Sequence, residues 1–135
     1  MKHATVFQET TSDILVSVRP EYLDEQSDPD QGQFAWAYHV KIENKGNRVV
    51  QLLSRHWKIA DSYGHKQEIL GDGVIGKQPT LKPGDAFEYT SGTPLAAPSG
   101  FMSGVFHMIS EDGTRFDIAV PAFALDGPER QGVLH

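Results

Sequence analysis

The stretch Gly71-Asp72-Gly73-Val74-Ile75-Gly76 decides the fold. It spells a dinucleotide-binding pattern in which three glycines allow a tight turn, close approach to pyrophosphate and tight packing of a helix, whose N-terminus holds the charge. The residues that follow deny it that helix. Lys77-Gln78-Pro79-Thr80-Leu81-Lys82-Pro83-Gly84 carries prolines at 79 and 83. An interior proline costs a helix roughly 3 kcal/mol and bars the preceding residue from helical geometry. The segment therefore reads as a glycine-rich loop between strands, with extended or coiled chain beyond Ile75.

Working outward, the apolar pattern has period two. Phe34, Trp36, Tyr38, Val40 and Ile42 alternate with Ala35, Ala37, His39 and Lys41, as in a half-buried strand. Ile14, Val16 and Val18 repeat the pattern, as do Phe87 and Tyr89, and Phe116, Ile118 and Val120. No window shows comparable helical spacing. Turn chemistry falls between these runs at Asn44-Lys45-Gly46-Asn47, Asp61-Ser62-Tyr63-Gly64, Pro83-Gly84 and Glu111-Asp112-Gly113, where Asp112-Gly113 is a hairpin signal. The expected fold is all-β, an antiparallel sandwich of immunoglobulin or fibronectin type III kind with about seven strands, the alternative being an up-and-down barrel.

The strand from Val49 to Ile59 is irregular. Its odd register would put Arg55 on one face with Leu53 and Trp57. Either a bulge re-aims the arginine, or its stem lies along the sheet with the head in water, or it is a buried, paired guanidinium; the cost of unpaired buried charge favours the first two.

A chain of 135 residues suits one domain, expected over residues 1–126, with 127–135 as a flexible tail lacking periodicity. It contains no cysteine, which excludes disulfides and thiolate metal sites and suits a reducing, cytoplasmic setting. The N-terminal residues lead into no apolar run, and no segment approaches membrane-spanning length. A net charge of −6, with 12 scattered basic residues, argues against nucleic-acid binding. The acidic segment 21–32, interrupted by Pro29, reads as a solvated loop. Asp28, Asp30 and Gly32 lack the further oxygen ligands and flanking helices of a calcium loop.

No catalytic set is legible. Ser103, within Phe101-Met102-Ser103-Gly104, is not on a nucleophile elbow. His3, His39, His56, His65, His107 and His135 show no metal-site spacing, although strand pairing has scope to bring His39 and His107 together. Gly71, Gly73 and Gly76, with Lys77 supplying charge, can be read as an anion-binding nest. They can equally be read as a crossing between strands with Val74 and Ile75 packed beneath, and Asp72 favours this second reading because it repels phosphate.

Gln51-Leu52-Leu53-Ser54-Arg55-His56-Trp57, the run from Gly71 through Pro79, Leu81-Lys82-Pro83-Gly84, Phe87-Glu88-Tyr89-Thr90-Ser91-Gly92 and the run from Phe116 through Phe123 together resemble, in order, the bacterial ApaG family, also called CorD. That resemblance implies a fibronectin type III-like sandwich and an association with cobalt resistance and magnesium efflux. Similar domains appended to eukaryotic F-box proteins and to a polymerase delta-interacting protein look like protein-interaction modules. The expected function is therefore non-enzymatic protein binding without a cofactor or resident metal, through a surface formed by Arg55, His56 and Trp57 beside the glycine loop. Pyrophosphate or nucleotide binding, to ATP or diadenosine tetraphosphate, is the alternative. Exposed sheet edges add the expectation of a homodimer.

Overall fold

The computed structural model of the chain describes residues 5–127. These residues form nine strands: β1 (Phe7–Thr11), β2 (Ile14–Tyr22), β3 (Phe34–Asn44), β4 (Val50–Asp61), β5 (Lys66–Asp72), β6 (Thr80–Leu81), β7 (Ala86–Leu95), β8 (Ser99–Ser110) and β9 (Arg115–Asp126). One sheet has the order β1-β2-β3-β7, the other β5-β4-β8-β9 with β6 also on β4, and every pairing is antiparallel. This is the expected immunoglobulin-like sandwich.

The count exceeds the expected seven because two strands carry almost no periodic signal. β1 is largely exposed and polar, and β6 is two residues long. All four turn signals fall between strands, and Gly64, Gly84 and Gly113 take positive φ in three of them. The acidic segment differs in detail. β2 runs on through Tyr22, and two 3-10 turns, Asp24–Gln26 and Pro29–Gln31, follow. The expected tail lies outside the described residues beyond Gly127, as do His3 and His135.

Alternating residues of both sheets fill the core. Trp57 is at its centre, with the rings of Tyr38, Phe106 and Phe123 at 5.1, 5.9 and 6.0 Å. Such spacing adds edge-to-face and offset attraction to the burial of large apolar area. On one side β1 meets β9, where Ala119 N–H donates to Thr11 Oγ1 at 3.1 Å. On the other, β5 and β7 end their sheets unjoined, so the layers form a sandwich rather than a closed barrel.

Candidate functional site

β4 explains the irregular strand. Its register on β8 shifts between Leu52 and Ser54, so Val50 and Leu52 face the core before the bulge and Trp57 and Ile59 after it. Arg55 pairs with core residue Phe106 and keeps the inward register of Trp57. The bulge thus exists without turning Arg55 outward. The half-buried guanidinium instead donates from Nη1 to the carbonyls of Gly73 at 2.7 Å and Asp72 at 3.3 Å. A charged donor on backbone carbonyls offsets much of its lost hydration.

The glycine loop fills the gap between β5 and β6 along the same edge of β4. Gly73 N–H donates to Leu53 O at 2.8 Å, and Gln78 Nε2 reaches the same oxygen at 2.8 Å, so the loop satisfies the bulged residue. Val74 and Lys77 exchange backbone hydrogen bonds of 2.8 and 2.9 Å around Ile75-Gly76. With φ of 43° and 79° at these two residues, the tip is a type I′ turn. No helix follows.

Two glycines have clear mechanical reasons. A Cβ on Gly73 would lie 2.3 Å from Lys77 O, and one on Gly71 would lie 3.0 Å from Arg55 Nη1. Val74 is fully buried, whereas Ile75, expected beneath the loop, is 53 % exposed. Lys77 is exposed beside it. The amides of Gly73, Val74 and Lys77 are thus already engaged by protein carbonyls.

Arg55 therefore reaches the loop, His56 faces β5 instead, and Trp57 does not belong to a surface. It is 2 % exposed, because the register after the bulge turns it inward opposite Gly104. A Cβ on Gly104 would meet the indole Cγ at 3.2 Å. His56 lies on the outer face, with Nε2 2.8 Å from Glu68 Oε1. On the facing sheet, burial pushes the Tyr89 phenol well above its ordinary range; nearby Tyr38 adds to this and Arg55 opposes it.

His39 and His107 are not brought together, since they stand on different sheets. Each described histidine instead faces one carboxylate: His39 with Glu21, His56 with Glu68, His65 with Asp61 and His107 with Asp117, at 2.7–3.0 Å. Among the described residues no group of three or more His, Asp or Glu is placed to hold a metal ion, and no helix is long and apolar enough to cross a membrane. His39 also meets Thr90 Oγ1 at 2.8 Å through Nδ1, giving a hydroxyl–imidazole–carboxylate chain across three strands. Sequence separations of 18 and 51 residues hid that chain; strand register alone aligns it.

A family model for the ApaG domain matches residues 24–110. The chain belongs to the ApaG family. It is 58 % identical over 126 residues to Protein ApaG of Paramagnetospirillum magneticum, covering 93 % of this chain and 97 % of that one. It is 54 % identical over 123 residues to Protein ApaG of Rhodospirillum centenum, covering 91 % and 95 %. The crystal structure of an ApaA protein from Bordetella pertussis is similar at a TM-score of 0.84 and 48 % identity, covering 87 % of this chain and 95 % of that one. The bulged β4 and the glycine hairpin lie within the region matched by the ApaG model.

Proposed function

We propose that this ApaG-family chain is a non-enzymatic protein-interaction module whose partner surface comprises the hairpin tip at residues 74–77, which Arg55 braces through the Gly73 carbonyl, while His56 stands on the opposite face of β4 and outside that surface. One observation carries the reading: Ile75, a β-branched residue, combines a φ of 43° with 53 % exposure. Left-handed backbone costs such a residue of order 1–3 kcal/mol, and strain of that size clusters at functional sites. An exposed isoleucine gains little from its own fold, whereas an apolar pocket on a partner would bury it. The exposed Lys77 two residues on favours a pocket with an acidic rim. The cobalt and magnesium association that the resemblance implies then operates through the partner, in a reducing cytoplasm suited to a cysteine-free chain.

Nucleotide binding by Gly71, Gly73, Gly76 and Lys77 has less support, because the amides of Gly73, Val74 and Lys77 already donate to carbonyls. Titration with ATP or diadenosine tetraphosphate is expected to leave the loop amide resonances unmoved. Comparative capture from the native cell with wild type and Ile75→Asn, each checked for folding, tests the principal reading. Loss of wild-type partners by the variant supports it, and recovery of the same proteins by both overturns it.

A further inference from the structure

The four strands that end the two sheets are not equally protected. β1 lies against β9 through the Ala119–Thr11 hydrogen bond. β7 carries Pro94 and β9 carries Pro121, and proline removes a donor that a new strand would need. β5, Lys-Gln-Glu-Ile-Leu-Gly-Asp, has no proline and bears Leu70 at 66 % exposure beside the half-buried Ile69. On its inner side His65 O accepts from Asp61 N–H and Gly73 N–H donates to Leu53 O, so odd-numbered positions bond β4. The alternation of an antiparallel ladder then turns the amides of Lys66, Glu68, Leu70 and Asp72, and the carbonyls of Lys66, Glu68 and Leu70, toward the open edge, while the Asp72 carbonyl already accepts from Arg55 Nη1 at 3.3 Å.

We infer that this edge pairs with β5 of a second copy of the chain, antiparallel about a two-fold axis through Ile69. Hydrogen-bonding parity allows even-numbered residues to face only even-numbered ones, which limits the near-full-length registers to axes at positions 68, 69 and 70. An axis at 68 sets Glu68 against its own copy, and an axis at 70 sets Glu68 against Asp72. The axis at 69 instead opposes Lys66 to Asp72 twice and Glu68 to Leu70. Neither Lys66 nor Asp72 has an ion-pair partner among the described residues. Glu68 already has His56. The two exposed Leu70 side chains become diagonal neighbours, and β9-β8-β4-β5 continues into its copy as one eight-stranded sheet. A single-strand interface is small, so the dimer belongs in the weak class.

The chain has no cysteine, so single-cysteine variants report cleanly. In this register Ile69 faces Ile69 as a non-hydrogen-bonded pair about 4.5 Å apart at Cα, within disulfide reach. Oxidised Ile69→Cys is expected to cross-link efficiently, and Gln67→Cys, facing Gly71 of the copy, poorly. In sedimentation velocity, Lys66→Asp and Asp72→Lys should each weaken self-association about tenfold, because each makes two like-charge pairs. The double exchange should restore it, with circular dichroism checking the fold throughout. A monomer at all concentrations, equal cross-linking of the two cysteine variants, or no rescue by the double exchange would overturn the inference.

Discussion

The guanidinium of Arg55 occupies the space that a side chain on Gly71 would fill, with a Cβ there lying 3.0, 3.2 and 3.3 Å from Nη1, Nη2 and Cζ. The arginine and the first glycine of the motif therefore form one mechanical unit. Gly71→Ala should displace the guanidinium and lengthen its bonds to Asp72 and Gly73 carbonyls, costing about 1 kcal/mol. Arg55→Ala removes both bonds and should cost about 2 kcal/mol, with Arg55→Lys intermediate because an ammonium lacks the planar fork. Urea midpoints of the three variants check this ordering. The double variant Gly71→Ala/Arg55→Ala should cost less than the sum, since the clash disappears with the guanidinium.

Ile75 sets stability against binding. Ile75→Asn creates Asn-Gly at the two central positions of a type I′ turn, the pair that turn favours. Relief of left-handed strain should stabilise the fold by about 1 kcal/mol and raise the melting temperature by about 3 °C. Calorimetry measures the gain, and the partner-capture experiment should show the opposite sign.

Tyr89 titrates from the buried side. Burial raises its folded pKa above the ordinary value of 10.0, so the unfolded chain loses the phenolic proton first. Its contribution is fully present below about pH 10 and falls as pH rises through and above that value. Tyr89→Phe has no proton to lose, and its stability curve should be flatter than wild type between about pH 10 and pH 12. Chemical unfolding across that range decides it.

The sandwich was legible because its strands bury one face, so Ile14 to Val18 and, apart from the small buried Ala37, Phe34 to Ile42 keep a period of two. β1 and β6 were not, since an exposed strand and a two-residue bridge impose no such pattern. Proline placement was enough to deny the glycine motif its helix. One bulged residue, Leu53, hid that Val50 and Leu52, rather than Gln51 and Leu53, share the inward face with Trp57, because a single insertion reverses which residues face the core. The tension between Arg55 and its apolar register-mates was visible, but its resolution by carbonyls of residues 72 and 73 needed the loop's path. The Thr90–His39–Glu21 chain depends on register among three strands and left no local signal.

Asp112 ties the β8–β9 hairpin to pH. Its carboxylate accepts from the Ser110 hydroxyl and from Thr114 N–H at 3.0 Å, with Arg48 Nη1 4.0 Å away. The Ser110 bond contributes most, followed by Thr114, and together with Arg48 they lower the pKa from 3.8 to about 2. A carboxylate depressed in the folded state stabilises it above the unfolded pKa and ceases to do so as pH falls through the folded one. Asp112→Asn keeps an acceptor for the turn and removes only the charge. Its urea midpoint should lie below wild type at neutral pH, hold that gap down to about pH 4, and converge on wild type as pH falls toward about 2. A gap of constant size across that window would mean that turn geometry, and not the ionised carboxylate, is what Asp112 supplies.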